Sequence, residues 1–490
     1  MALTIIIDLI IVGALVAVSV SKGFEDVLPF AAFVCILVPG LSSIPIPGLF
    51  VLTTQRLVLV VLFVLYLILG KRQPEFSKVN KIPLLWLMAA QVLWSLVSTA
   101  NSIDPVMSLK KLLSVVAEYY VLYYVYVKSV TRVRTVYRVL GAIIAAMAVC
   151  SVFGAVEAYT GWHVMGLFPP RESRIGALLG LSGGDEGRIA STFPHAILFG
   201  AALAIAILIA LHLVTVAKST KRKFFLWASI LLMFLNIYKS VSRGPWLGLI
   251  LGFILLTVFE RGKLRKHQLV IALLSVLVMV IRPGVYDTIR DLSGETFTVD
   301  WENPKGLSYE YRYELRRVAQ QALGRDFLRG LWGYGMESFS YLGLEGNLAG
   351  HEFPFLSCDS AWIELMVETG YVGLFLIALL LLKPAWLAWK DFRRIRGPDR
   401  YLSLTFVTCM VVYYFMMLSV DIYAWGQEGY MLWILIALSV VHGGLAKANA
   451  KSEMTATEPA ALSSCGAWRG SGERAVVHNY GRQVNPGKLA

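Results

Sequence analysis

Cysteine is scarce in this chain, with five among 490 residues, and the five form no framework. Cys35, Cys150 and Cys409 fall inside apolar runs and Cys465 lies near the C-terminus. Only Cys358 sits in a polar stretch readable as external, so no intramolecular disulfide is expected. No His/Cys/Asp cluster has metal-ligand spacing, no internal repeat is visible, and no stretch reads as a separate soluble domain. A secretory signal peptide is not expected either, because the first apolar run leads straight into further ones. Negative charge is also short, with 32 Asp and Glu against 45 Lys and Arg, for a formal net charge of +13.

That excess invites a nucleic-acid reading, and its distribution excludes one. The bases cluster at Lys71, Arg72, Lys78 and Lys81, at Lys128, Arg132, Arg134 and Arg138, and at Lys218, Lys221, Arg222 and Lys223. Two more clusters are Arg261 to Lys266 and Lys383 to Arg400. Each falls at alternate ends of successive apolar runs, which puts all of them on one side. This is the positive-inside pattern, and it assigns those loops to the cytoplasm.

What the chain has in abundance is apolar sequence. Hydrophobic residues make up 57% and mean hydropathy is +0.65, against about 45–50% apolar in soluble domains. Runs of near membrane-spanning length recur from 2–20 to 428–445, including 82–100, 111–128, 136–158, 193–216, 268–282 and 360–382, with 26–40 and 245–259 the short ones. Lipid offers no partners to a free backbone, so these runs must be helices. The expected fold is all-α: a polytopic integral membrane bundle of about 12–14 transmembrane helices. A long polar stretch, residues 282–359, is read as a large external loop carrying short helices, and a loop of that length has a task of its own. The expected domains are a membrane unit over 1–446 and a disordered cytoplasmic tail over 447–490, where the composition turns to Ala, Ser, Gly and Arg.

Three external segments carry residues suited to chemistry. In GRIASTFPHAILFG, Arg188 and His195 stand where a span begins near Phe193. Pro194 suits a first helical turn, and interfacial anchoring is the alternative role for both polar residues. In YKSVSRGPWLGLILG, Arg243 is kept at the tip between two apolar runs, beside Gly244 and Pro245. A proline at the first helical position would put Arg243 at a helix N-terminus, where free N–H groups and the dipole favour an anion. Snorkelling to headgroups is the alternative, but charges at a membrane edge are costly and usually kept for a task.

The third segment is the long loop. YEYRYELRRVAQQALGRDFLRG has helical character and sets Arg312 and Arg316 four apart on one face. Guanidinium forks match phosphate oxygens, though such a face is also an ordinary solvated one. LWGYGMESF, with glycines two apart, fits a tight turn. Asp359, in SCDSAWIELMVETGYVG, is either a reactive carboxylate or a helix N-cap. Glu364 and Glu368 follow at i,i+4 spacing, and Gly370 and Gly373 permit close helix packing.

In this order the segments resemble the O-antigen ligase and O-antigen polymerase superfamily of bacterial membrane glycosyltransferases. The matching elements are Arg188, Thr192 and Phe193 entering a span, then SRGPWLG, then a Tyr-Arg…Arg helix. G-x-G-x-x-x-F (Gly333, Gly335, Phe339) and LMVETGYVG complete the set. The resemblance covers roughly 185–385, and by hydropathy the whole bundle. One departure stands out: the family's last motif commonly carries a His-Asn pair where this chain has Cys358-Asp359-Ser360. Asp359 would replace that histidine as general base, or His351 would reach in from eight residues upstream.

The resemblance implies an undecaprenyl-pyrophosphate-linked oligosaccharide as substrate, and a reaction needing neither metal nor cofactor. An acceptor hydroxyl would attack the anomeric carbon while Arg188, His195, Arg243, Arg312 and Arg316 bind the pyrophosphate or glycan. Trp301, Tyr309, Tyr311 and Trp332 could stack on sugars or pack within the loop. It also implies the bacterial inner membrane, with an external (periplasmic) active face. Partners would be membrane lipids and, for a polysaccharide pathway, a flippase and a chain-length regulator, with no nucleic acid. A polymerase extending lipid-linked repeat units into a surface or exopolysaccharide is the preferred reading. The alternatives are a ligase acting on lipid A-core or another acceptor and, from a different class, a transporter of lipid-linked sugars. A transporter should place its charges near mid-bilayer, whereas here they gather on one face.

Overall fold

The computed structural model describes residues 2–44, 51–70, 82–168, 188–260 and 304–457. The 268–282 run, Trp301, the loop up to residue 303, the basic clusters at 71–81 and 261–266, and residues 458–490 with Cys465 lie outside the described residues. In chain order the helices are α1 (Ala2–Lys22), α2 (Leu28–Leu37), α3 (Thr54–Ile68), α4 (Leu85–Ala100), α5 (Pro105–Val115) and α6 (Val121–Ser129). There follow α7 (Val133–Thr160), α8 (Ala196–Val216), α9 (Thr220–Lys239), α10 (Arg243–Phe259), α11 (Pro304–Gly324) and α12 (Phe327–Trp332). The last are α13 (Ala361–Arg394), α14 (Pro398–Met416) and α15 (Gly426–Thr457). Strands are confined to β1 (Ser43–Ile44) with β2 (Leu52–Thr53), and β3 (Leu344–Leu348) with β4 (His351–Phe355), two antiparallel pairs.

The protein is an all-α polytopic membrane bundle. Among the described residues, α1, α7, α8, α13 and α15 are each long and apolar enough to cross a bilayer. The apolar helices α3, α4 and α10 are shorter. Short helices are tolerated at membrane depth when their ends are buried in protein and not in lipid. The 111–128 run is part of a longer helical path that starts at Pro105, capped by the Asp104 side chain, and passes through a π-helical turn at Val116–Tyr120.

α8 is apolar on every face, the pattern of a helix enclosed by others. It is the bundle's centre: nearly all of its apolar span is buried, and α7, α9, α10 and α14 pack around it. Glycines let these neighbours close in. A Cβ on Gly200 of α8 would meet the Pro245 ring of α10 at 2.9 Å, and one on Gly252 of α10 would meet Leu208 at 2.7 Å.

Basic residues gather at one end of the bundle, where Glu25 bonds Thr131 and pairs with Arg132, and Asp26 pairs with Arg138. The polar stretch lies at the other end and is a folded cap from residue 304 onward. It holds a 21-residue helix and a β-hairpin as well as the short helices expected. Its own core joins Leu315, Val318, Ala319 and Leu323 of α11 to Phe355 of the hairpin and to Val367 of α13. The apolar stripe of α11 is therefore buried against the hairpin and the head of α13, leaving its arginine-bearing face for other work.

Candidate functional site

Four chain segments meet beneath the cap. The first is the 188–195 approach to α8, which is held by carboxylate bonding. Glu157 at the end of α7 accepts from the backbone N–H groups of Ala190 and Ser191 at 2.9 and 2.7 Å. Ser191 donates to the Cys150 carbonyl at 2.6 Å, and Gln427 of α15 donates to the Thr192 carbonyl at 2.9 Å. This bracing fixes the direction of Arg188. Its guanidinium donates to the Ser240 carbonyl and the Ser242 hydroxyl, at 3.2 and 3.1 Å. Arg188 is thereby tied to the tight α9–α10 connection that carries Arg243.

Arg243 is the first residue of α10, so Pro245 is its third residue and not its first as the sequence suggested, while Arg243 still stands at the helix N-terminus. Arg243 lies in electrostatic range of both Arg188 and Arg312. Arg312 comes from α11 in the cap and is half-buried, while Arg316, one turn later, is exposed to solvent. The i,i+4 spacing places both on one side of the helix, but only the first faces inward.

The fourth segment is 356–360. Tyr311 donates to the Ser357 carbonyl at 2.7 Å and packs its ring on Phe353 and Phe355, so its place in the cap is structural. The Cys358 thiol donates to the Ser360 carbonyl at 3.2 Å. Asp359 is thus held beside α11, and its carboxyl is pushed up from the usual range by burial, with the opposite charge of Arg312 pulling it partly back. The N-cap position of α13 belongs to Ser360, whose hydroxyl donates to the Met417 carbonyl at 3.2 Å. Capping does not account for Asp359.

The structure therefore gathers Arg188, Arg243, Arg312 and Asp359. It places three other candidates differently. His195 is the N-cap of α8, its Nδ1 accepting from the Ile197 N–H at 3.1 Å. His351 is exposed at the turn end of the hairpin, paired with Leu348. From there β4 runs ~13 Å to Phe355. Arg316 is exposed to solvent one turn along α11 from the half-buried Arg312.

A second set joins Glu364 and Glu368 to Lys111, Glu337 and Asp421, three residues that sequence reasoning missed. Lys111 of α5 pairs with Glu337 at 3.0 Å and is in electrostatic range of Glu364, Glu368 and Asp421. Burial pushes the Asp421 carboxyl up, and Lys111 opposes the shift. The signal was present: a lysine in an apolar run, at the end where bases are otherwise few. Among the described residues no three His, Cys, Asp or Glu side chains converge with metal-binding geometry.

The two glycine motifs prove to be one structure. α13 breaks at Gly370 (φ 69°), which frees the carbonyls just before it. Tyr334 and Gly335 donate their N–H groups to the Val367 and Glu368 carbonyls at 3.0 and 2.9 Å. Ser98 and Trp94 of α4 donate to those of Glu368 and Thr369 at 2.8 and 2.9 Å. Gly370 is a helix break filled by the 333–335 turn, where the sequence had suggested helix packing. The cause is direct: carbonyls released at membrane depth must find donors, and the turn supplies them.

A helical membrane protein with an arginine-and-carboxylate site under a folded cap is the class that fold and site define. Residues 228–378 match the family model described as O-antigen ligase, and this match supports the resemblance to the O-antigen ligase and polymerase superfamily. The matched range takes in Arg243, Arg312 and Asp359; Arg188 and Lys111 lie outside it. No curated protein matches the chain.

Proposed function

We propose that this protein is a glycosyltransferase that polymerises oligosaccharide repeat units carried on undecaprenyl pyrophosphate, at the cap end of the bundle. The observation that carries the reading is the convergence of Arg188 and Arg312 on Arg243, from three separate chain segments, with Arg312 also beside the half-buried carboxyl of Asp359. Arginines held by backbone and hydroxyl groups are preorganised for an anion, and a departing pyrophosphate is an anion that gains charge as the bond breaks. Asp359 takes the proton of the acceptor hydroxyl. That oxygen forms its bond to the anomeric carbon, the bond from that carbon to the pyrophosphate oxygen breaks, and the lipid pyrophosphate leaves with the electron pair. The arginines, and no divalent metal, neutralise the leaving group.

A polymerase hands the growing chain to another carrier-linked repeat unit. The test is purified protein in lipid nanodiscs with a lipid-pyrophosphate-linked repeat unit as the sole substrate. The reading expects a ladder of longer glycans still attached to the carrier, formed equally in excess EDTA. Transfer only when a separate lipid A-core or other acceptor is supplied would identify a ligase. Activity lost in EDTA and restored by magnesium would overturn the arginine account.

A further inference from the structure

At the opposite, basic end of the bundle, the last turns of α13 form a pocket of about 600 Å3 lined by Trp386, Trp389, Lys390, Arg393 and Arg394. The site just described makes no use of it. Its spacing explains its make-up: positions i, i+3, i+4, i+7 and i+8 of a helix share one face. Trp389 is fixed by an edge contact to Phe259 at the end of α10 and by Phe392, with ring centroids 5.0 and 5.3 Å away. Trp386 is half exposed and holds the Lys390 ammonium 4.3 Å above its ring. Arg393 and Arg394 are exposed and, among the described residues, show no ion pair or hydrogen bond. The pocket thus combines two aromatic side chains with three cations.

We propose that this pocket binds the headgroup phosphate of an anionic phospholipid, with the acyl chains lying along Trp386 and Trp389. The chemistry is specific in both halves. Two guanidinium forks suit phosphate oxygens, and tryptophan prefers the interface where headgroup meets acyl chain. Clusters of Lys and Arg just beyond the cytoplasmic end of a membrane helix are known devices for holding acidic headgroups. A soluble phosphate would meet the cations but gain nothing from the indoles.

The test uses the full-length protein in detergent, titrated with phosphatidylglycerol or phosphatidylcholine carrying brominated acyl chains, which quench tryptophan fluorescence on contact. Phosphatidylglycerol should quench saturably and at lower concentration than phosphatidylcholine, and the quenching should shrink in a Trp386→Phe/Trp389→Phe variant. Arg393→Gln/Arg394→Gln should weaken phosphatidylglycerol binding about tenfold or more, and Arg393→Lys/Arg394→Lys should retain most of it. All five side chains border the pocket at the bundle surface, and a monodisperse elution profile checks that each variant is folded. Equal binding of the two lipids, or an unchanged Gln variant, would overturn the proposal. So would displacement of the lipid by millimolar inorganic phosphate, which would make this a soluble-anion site. None of these outcomes depends on transferase activity.

Discussion

Gly333 and Gly370 press backbone to backbone: a Cβ on Gly333 would lie 2.5 Å from the Gly370 nitrogen, and one on Gly370 would strike the Leu331 carbonyl. Both have left-handed φ values, 75° and 69°. Their contact locks the cap to the broken helix α13, and the same helix begins one residue after Ser360 and so fixes the Asp359 segment. Alanine at either position should lower the thermal midpoint of the purified protein and abolish activity. Gly343 supplies the control. It has φ 59° with nothing within 4 Å of its Cβ position, so Gly343→Ala should cost only the ~1–2 kcal/mol of a left-handed residue. If Gly343→Ala and Gly370→Ala destabilise equally, the close approach is not what matters.

Arg312 and Arg316 separate inward from outward on α11. Arg312→Ala should reduce transfer by two orders of magnitude or so, the scale of losing one preorganised donor, while Arg316→Ala should stay within a few-fold of wild type. Arg243→Ala should abolish polymer with membrane insertion intact, and Arg243→Lys should rescue only partly because the bidentate fork is lost. Steady-state rates on a lipid-pyrophosphate-linked donor are the measurement, and a silent Arg312→Ala would remove this residue from the proposed site.

Asp359 gives a pH signature of definite sign. Its carboxyl is raised by burial, so the proposed base is protonated and inactive at low pH, and the rate should rise with pH through a midpoint above the usual carboxylate range. Arg312 pulls that value down, so in Arg312→Gln the midpoint should move further up. Stability runs the other way. A carboxyl whose folded pKa exceeds its unfolded one stabilises the fold below the unfolded value, and that contribution is lost as pH rises through the folded one. Activity should climb and the thermal midpoint fall slightly across the same window. Asp359→Asn should remove both trends and cost about 10²-fold or more in rate. A severe loss in His351→Ala beside a tolerant Asp359→Asn would move the base to the hairpin.

Topology can be read by labelling. With Cys358 replaced by serine, a cysteine at the exposed Asn347 of the hairpin should react with an impermeant thiol reagent added outside intact cells. One at the exposed Arg394 should react only after permeabilisation. The reverse pattern would put the cap on the other face and end the assignment of the active side.

What the sequence by itself determined was set by local and compositional physics. Apolar runs without charge must be helices in lipid, so the bundle followed from hydropathy. Basic residues recurring at every second helix end gathered them at one end of the fold. Pro245 in a first turn, and the resemblance carried by SRGPWLG and G-x-G-x-x-x-F, depend on residue order, and order is what a sequence records. Tertiary structure alone decided which of the candidates meet. Arg312 and Arg316 are equivalent on a helical wheel, and only the packing of α11 on the hairpin turns one inward. Gly370 looked like a packing glycine because its break becomes possible only when a turn some thirty-five residues earlier supplies donors to the freed carbonyls. Lys111 and Asp421, far apart in the chain, take their meaning from Glu337, Glu364 and Glu368, and such long-range charge pairing leaves no periodic trace.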